Sequence, residues 1–322
     1  MGLKGIVKNI LNNMGFEIRR ISRKTELPDL RTQLSDFVVQ ELRTIEASLD
    51  DSATRADAFT KLRDLSLCDF GMLLITIPNP DFPRLSALLP RMAKEEVQLS
   101  WTGSAGVDLL KMTVDFVRSL SYNFPRLTGR PLEGAKVLDF GCGYGRITRL
   151  MYYFSNEDLV YGLDPWDKSI EICHADGLTK NFLQSDYLPA TLPVPRADFD
   201  LIFAFSVFTH LSERATVTCL NTLADYVKPD GLIAITVRPI EYWNVDPDAI
   251  RLHLSDQQKE KHNQLGFSFL PHDRPAVDGD ITYGDTTICL DWLKNAFPKL
   301  KVAGVDRSLS DPYQIYVFLQ KL

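Results

Sequence analysis

Val137-Leu-Asp-Phe-Gly-Cys-Gly-Tyr-Gly-Arg146 is the stretch that decides the fold of this 322-residue chain. It opens with the apolar character of a buried strand, and Gly141, Gly143 and Gly145 follow just before a predicted helix. Glycine lets the backbone turn tightly and approach a ligand without a Cβ in the way. The stretch therefore predicts a nucleotide-binding strand, loop and helix.

The spacing of these glycines and the acid before them indicate which ligand the loop binds. The dinucleotide fingerprint has the spacing G-x-G-x-x-G and places a pyrophosphate on the helix N-terminus. Here the spacing is G-x-G-x-G, and Asp139 lies two residues before Gly141. A carboxylate at that place would repel a pyrophosphate but can hold a cationic amino group. The expected ligand is S-adenosylmethionine, which carries an ammonium, a sulfonium and no phosphate.

Short apolar runs alternate with helical segments around this loop. The predicted strands cover residues 136–140, 159–163, 181–184, 199–205 and 232–237, and the predicted helices cover 144–154, 167–176 and 212–227. This alternation is typical of right-handed crossovers in a doubly wound, mostly parallel sheet. Two further strands, 300–306 and 314–320, are joined by a connection too short for a crossover, which predicts an antiparallel pair.

The ordered motifs resemble those of class I S-adenosylmethionine-dependent methyltransferases over roughly residues 100–322. The resemblance implies an α/β fold with a seven-stranded Rossmann-like sheet. It also implies that Asp164 binds the two ribose hydroxyls, that Pro165 and Trp166 flank the adenine, and that the run Lys228–Gly231 forms a turn. The cofactor-binding residues that it implies are Asp139, Gly141, Cys142, Gly143, Tyr144, Asp164, Pro165, Trp166, Asp186, Tyr187, Phe205, Ser206, Trp101 and Gly103.

The loop after the fourth strand bears on the chemistry. Phe205-Ser-Val-Phe208 is not the Asn/Asp-Pro-Pro-aromatic run of enzymes that methylate amino groups of nucleic-acid bases. It also lacks the carboxylates with which catechol-type enzymes bind magnesium, so we expect metal-independent transfer. His210 is the leading candidate for a general base, because a neutral imidazole can accept a hydroxyl proton near pH 7. The alternative is that His210 caps or packs the following helix.

Residues 238–287 form a long insertion between the fifth strand and a final helix at about 288–297. Ordinary connections have roughly 2–6 residues, and longer ones are usually functional. We interpret the insertion as an acceptor-binding lid, in which Arg238, Glu241 and Tyr242 lie nearest the site; a solvated decoration is the alternative. Its polar part, Ser255–Leu265, predicts a surface helix.

Residues 1–97 are predicted to form a helical N-terminal extension of a methyltransferase domain at 98–322. The periodicity predicts helices at 29–49, 52–66, 69–76 and 105–122, with a proline-rich linker at 78–90. Residues 1–24 have the pattern of a basic amphipathic helix. Such a helix either packs on protein, including a second copy of the chain, or lies on an anionic membrane surface.

The composition limits the classes of partner that the chain is expected to bind. The net charge of −6 argues against nucleic acid as the main partner, since phosphate binding needs a positive footprint. The five cysteines have no zinc-type spacing, and no stretch is apolar for the ~20 residues that span a bilayer, which favours a cytoplasmic protein.

The motifs described so far do not identify the acceptor of the methyl group. Residues 98–106 are similar to a lead-in found in bacterial class I enzymes, many encoded with glycan-assembly genes. We therefore expect an O-methyltransferase that acts on a hydroxyl of a sugar or polysaccharide intermediate at the inner face of the membrane. The alternatives are an enzyme that modifies a soluble small molecule or lipid, and a cofactor-binding subunit without catalysis.

Overall fold

The computed structural model describes Leu30 and residues 33–322, and residues 34–322 form one of the two units into which the chain divides. The predicted helix at residues 1–24 lies outside the described residues. The helices of the described part are α1 (Asp36–Ser48), α2 (Arg55–Leu62), α3 (Leu67–Thr76), α4 (Pro83–Leu88), α5 (Glu95–Thr102), α6 (Gly106–Thr128), α7 (Arg146–Met151), α8 (Asp167–Ala175), α9 (Glu213–Tyr226), α10 (Pro247–Arg251), α11 (Ser255–Leu265) and α12 (Leu290–Ala296).

The strands form one large and one small sheet. They are β1 (Val137–Phe140), β2 (Val160–Asp164), β3 (Phe182–Gln184), β4 (Phe199–Ala204), β5 (Val227–Val237), β6 (Phe267–Pro271), β7 (Gly284–Ile288), β8 (Leu300–Arg307) and β9 (Ile315–Lys321). The seven-stranded sheet has the order β3-β2-β1-β4-β5-β9-β8 and is parallel except for β9, which runs antiparallel to both neighbours. The predicted doubly wound, mostly parallel seven-stranded sheet is confirmed.

Apolar side chains on the two faces of this sheet form separate cores. Along β4, Leu201 and Phe203 point into the core shared with α1–α4, α6 and α7, whereas Ile202 and Ala204 point into the core under α9 and α12. Successive side chains of a strand alternate between faces, so strands that read as continuous apolar runs are those covered on both faces. The proposed domain boundary between residues 97 and 98 stays a prediction.

Several segments differ from the sequence prediction, among them the helix predicted at 29–49, which begins at Asp36. The expected turn at Lys228–Gly231 is a bulge within β5, because Val227 pairs with Phe199 and Leu232 with Leu201. The proline-rich linker predicted at 78–90 contains the short helix α4. The helix predicted at 105–122 is α6, which continues past Pro125 to Thr128.

The lid insertion holds more structure than its polar helix. The predicted helix Ser255–Leu265 is confirmed as α11, but β6 and β7 also pair as a two-stranded antiparallel sheet. No helix of the described part of the chain is long and apolar enough to span a membrane.

Candidate functional site

The glycine loop after β1 requires its glycines for two different reasons. Gly141, Gly143 and Gly145 have φ of 76°, 54° and 74°, a region that favours glycine. A Cβ at Gly141 would overlap the side chain of Val207, and one at Gly145 would overlap Leu178. A Cβ at Gly143 would meet only the Trp101 ring, at 3.8 Å. The first and third glycines thus serve packing, while the second leaves space above the loop.

Asp139 is the buried acid in β1, just before this loop. Its carboxylate is 2% exposed and accepts a hydrogen bond of 2.6 Å from the Thr148 hydroxyl. Burial raises the pKa of Asp139 to about 7. The group therefore changes charge near neutrality, and a cation placed next to it would favour the ionised form.

Asp164, at the end of β2, connects that strand to the glycine loop. One carboxylate oxygen accepts from the Gly143 amide and the other from the Trp166 amide, both at 2.9 Å. Burial raises the pKa of Asp164. Each oxygen keeps a second lone pair, so the carboxylate can still accept from a diol.

Three aromatic rings lie beside the loop. Trp101, in the last turn of α5, stacks on Trp166 with centroids 4.8 Å apart and an interplanar angle of 30°. It also contacts the ring of Tyr144 at 5.7 Å. Gly103 ends α5 in the left-handed conformation with φ of 72°, which turns the chain just after Trp101. The structure thus brings these predicted residues together, although they are distant in sequence.

The end of β3 lies beside Asp164. The Gln184 amide donates to the carbonyl of Pro165 at 3.1 Å, and the Ser185 amide donates to the carbonyl of Asp164 at 3.1 Å. The predicted cofactor-binding residues Asp186 and Tyr187 follow and are exposed.

Cys142 packs beneath the loop rather than above it. Its thiol is buried and points to the carbonyl of Gly143 at 3.6 Å, and Cys173 of α8 approaches the same carbonyl at 3.3 Å. Burial raises the pKa of the Cys142 thiol. Of the predicted cofactor residues, Cys142 is therefore the one whose side chain supports the loop from below.

The chain after β4 brings Ser206 to the same edge of the sheet. Ser206 has φ of 60°, and its amide donates to Thr236 at 2.7 Å. Its hydroxyl accepts from the Gln314 amide at 3.2 Å, while Gln314 Oε1 is buried without a partner among the described residues. An oriented, unpaired carbonyl of this kind is suited to a ligand donor such as an ammonium.

Arg146 is a site residue that the sequence analysis missed. It begins α7 directly after the glycine loop, donates to Thr113 at 2.6 Å and lies 5.2 Å from the ring centroid of Phe205. Within residues 33–322 no carboxylate forms an ion pair with it. A guanidinium in this position can bind a carboxylate of a ligand with two parallel hydrogen bonds.

His210 has both ring nitrogens in contact with protein groups. Nδ1 donates to the carbonyl of Gly284 at 2.8 Å, so Nε2 carries the lone pair, and it lies 3.3 Å from Arg238 Nη2. The ring stacks on Tyr283 with centroids 5.0 Å apart and an angle of 6°. Burial, followed by the charge of Arg238, lowers the pKa of His210 to about 4. His210 is thus a neutral but weak base.

Arg238 and Tyr242 join this histidine around Asp285 of β7. Arg238 forms an ion pair with Asp285 and lies 3.9 Å from the centroid of the Tyr242 ring. The Tyr242 hydroxyl donates to the same carboxylate at 3.2 Å. The structure does not bring Glu241 into this cluster, because the 3-10 helix Ile240–Asn244 leaves it exposed.

Asp285 and His272 were missed as site residues. His272 Nε2 lies 2.6 Å from Asp285 Oδ2, and the Tyr283 ring packs against both histidines, whose ring centroids are 6.4 Å apart. The sequence carried no signal for Asp285, because the burial of all five residues of the polar strand β7 is visible only in the structure. Lysine, arginine and acidic residues are almost never fully buried without a partner.

Comparison with known proteins supports the position of the cofactor loop. Residues 137–231 match the family described as "Methyltransferase domain", which confirms the predicted resemblance for this part of the chain. A ubiquinone biosynthesis O-methyltransferase of Methylocella silvestris is 33% identical over 114 residues, which is 34% of this chain and 41% of that protein. An O-methyltransferase of Pyrenophora dematioidea is 26% identical over 157 residues, 44% of this chain and 57% of that protein.

The chain thus spans about two fifths of the length of the first of these relatives. Among solved structures, a SAM-dependent methyltransferase from Aquifex aeolicus is similar, with 20% identity and a TM-score of 0.38 over 59% of this chain and 84% of that one.

Proposed function

We propose that the chain is an S-adenosylmethionine-dependent O-methyltransferase. One observation carries the proposal. Where β1 and β2 meet, the Asp164 carboxylate accepts a hydrogen bond from the Gly143 amide, and the missing side chain of Gly143 leaves space for a ligand above the loop. The match of residues 137–231 to a methyltransferase domain and the printed names of the relatives support it.

The residues around the loop fit the parts of this cofactor. Asp164 would hold the ribose hydroxyls, and Trp101, Pro165, Trp166, Asp186 and Tyr187 would surround the adenosine. Arg146 would bind the carboxylate of the methionine end, while Asp139 and the unpaired Gln314 Oε1 would face its ammonium. Bound there, the cofactor supplies an electrophilic methyl group on a sulfonium.

The acceptor side is proposed to lie beyond Ser206, toward His210, Arg238 and Tyr242. Much of the acceleration of an in-line methyl transfer can come from positioning the two reactants. The stacked rings and buried charges of this cluster favour a polar acceptor with a hydroxyl. We retain a sugar or polysaccharide intermediate as the acceptor, with a soluble small molecule or lipid as the alternative.

An acceptor screen tests the activity. The full chain is incubated with cofactor labelled in its methyl group and with panels of glycans, phenols and lipids. Label transferred to a hydroxyl supports the proposal and identifies the acceptor class. Tight cofactor binding without transfer to any acceptor or to an extract of small molecules would instead favour the non-catalytic subunit.

Three further proposals concern partners. Residues 1–24 are proposed to pack on protein, either the rest of the chain or a second copy, with contact with the inner membrane face as the alternative, and nucleic acid is not expected as a partner. Cosedimentation with anionic vesicles, comparing the full chain with one that begins at residue 25, tests the membrane contact. Equal cosedimentation of both chains would contradict membrane contact by this segment.

A further inference from the structure

The small sheet of the lid insertion holds a histidine and a carboxylate in contact. His272 directly follows β6, Asp285 lies in β7, and His272 Nε2 is 2.6 Å from Asp285 Oδ2. The His272 amide also donates to the carbonyl of Tyr283 at 3.1 Å, which fixes the backbone beside the pair. The His272 side chain is 28% exposed, against 8% for Asp285. The pair therefore has a buried acid and an accessible imidazole.

The charge of Asp285 determines which nitrogen of His272 carries the proton. Burial raises the pKa of Asp285, but Arg238, His210 and the hydrogen bond from His272 outweigh it, and the net result is a lowered pKa. An ionised carboxylate only accepts hydrogen bonds, so Nε2 of His272 must donate to it. The lone pair then lies on Nδ1, for which residues 33–322 provide no hydrogen-bond partner.

His210 has the opposite tautomer, with its proton on Nδ1. Its Nδ1 donates to the carbonyl of Gly284, and its lone pair on Nε2 faces the guanidinium of Arg238. Protonation of Nε2 would place a second positive charge against Arg238. His272 has no such cation on its lone pair, and its imidazolium would be stabilised by Asp285.

We propose that Nδ1 of His272 accepts the proton of the acceptor hydroxyl, and that Asp285 acts as its positioning residue. This inference rests on the proposed methyltransferase function. As the acceptor oxygen forms its bond to the methyl carbon, its O–H bond breaks and the proton goes to Nδ1. The electron pair of the broken carbon–sulfur bond remains on sulfur, so the positive charge moves from the sulfonium to the imidazolium.

The position of the pair relative to the cofactor loop is compatible with this role. The Tyr283 ring packs against both histidines, with centroids 5.0 Å from His210 and 5.6 Å from His272, and the two histidine rings are themselves 6.4 Å apart. Arg274 covers the Tyr283 ring at 4.6 Å. His210 in turn follows Val207, whose side chain packs against Gly141 of the loop.

Nitrogen NMR of the full chain with S-adenosylhomocysteine tests the tautomers without any acceptor. The chain has five histidines, which single His→Asn variants assign. We expect His272 protonated on Nε2 and its Nδ1 without a proton at high pH, and the reverse for His210. A neutral His272 protonated on Nδ1 would overturn the proposal.

Turnover then tests the proton transfer. His272→Asn should lower kcat ~10²-fold or more, since a positioned general base contributes about 10²–10⁴-fold. Affinity for S-adenosylhomocysteine should stay unchanged, and added imidazole should restore part of the rate. His253→Asn is the matched control, because His253 is exposed in the same insertion and has φ of 57°, which asparagine tolerates.

A wild-type kcat in His272→Asn, or a loss that occurs only in His210→Asn, would refute the role of His272 while methyl transfer stands. Absence of S-adenosylhomocysteine binding by the wild-type chain would refute the proposed function, and the tautomers would still show whether the His272–Asp285 pair exists as described.

Discussion

Cofactor binding should release a proton from Asp139. Burial raises the pKa of this carboxyl to about 7, so the free protein holds it about half protonated at pH 7. A bound ammonium would favour the carboxylate. If its pKa falls to about 5 in the complex, binding releases roughly 0.8 proton at pH 6, 0.5 at pH 7 and less than 0.1 at pH 8. By the same linkage, affinity should rise about 10-fold from pH 6 to pH 8.

Calorimetry in buffers of different ionisation enthalpy measures the proton release directly. The Asp139→Asn variant is the control, because its amide can still accept from Thr148 but cannot titrate. Protonation of the ligand's own amino group contributes to both proteins, so their difference reports Asp139. Equal proton release by the variant and the wild-type chain between pH 6 and 7 would show that Asp139 does not lose a proton when the cofactor binds.

The same carboxyl makes the free protein less stable as pH rises. The folded pKa of Asp139 is about 7 and the ordinary value is 3.8, so the folded state binds the proton more tightly. The unfolding free energy should fall between pH 4 and pH 7, by at most ~4 kcal/mol at 1.36 kcal/mol per pKa unit. Denaturant titration should show this slope in the wild-type chain and a flatter profile in Asp139→Asn.

Three more predictions follow from the site. Gly143→Ala should abolish cofactor binding. The control Gly279→Ala, also at positive φ (81°) and with open space around its Cβ, should cost similar stability, ~1 kcal/mol, and leave binding intact. Equal affinities of the two variants for the cofactor would contradict the role of the space above Gly143. Arg146→Met should weaken the binding of S-adenosylhomocysteine ~10–100-fold, as expected for a charged hydrogen bond of about 1.5–3 kcal/mol. The binding of 5′-methylthioadenosine, which lacks the carboxylate, should stay unchanged. Equal losses of affinity for both ligands would refute the contact between Arg146 and the carboxylate. Dialysis against EDTA should leave kcat unchanged if transfer is metal-independent, and activity restored only by added Mg²⁺ would contradict that expectation.

The sheet and the glycine loop could be predicted because their signals are local. Alternate glycines, an acid two residues before them and apolar runs of strand length all lie within short windows of sequence. Asp164 was predictable for the same reason, since it ends the next strand along the chain. These elements occupy the carboxyl ends of neighbouring parallel strands, where the fold itself brings them together.

The parts that were missed depend on long-range contacts. The bulge at Lys228–Gly231 lies where Asp200 of β4 binds both Lys228 and Arg130, and no local pattern in the sequence shows these contacts. His272 and Asp285 are joined by the pairing of β6 with β7, and the polar sequence of β7 does not alternate as a strand exposed on one face would. Arg146 reads in sequence as an ordinary first residue of a helix.

Calorimetry measures whether the loop from Asp139 to Gly145 binds S-adenosylmethionine, as we propose. The wild-type chain is titrated with S-adenosylmethionine and, separately, with NAD, beside an Asp164→Asn variant. We expect saturable binding of one S-adenosylmethionine per chain, no binding of NAD, and an affinity lowered ~10-fold or more in the variant, because a charged hydrogen-bond acceptor is lost. Binding of NAD without binding of S-adenosylmethionine would contradict the proposal.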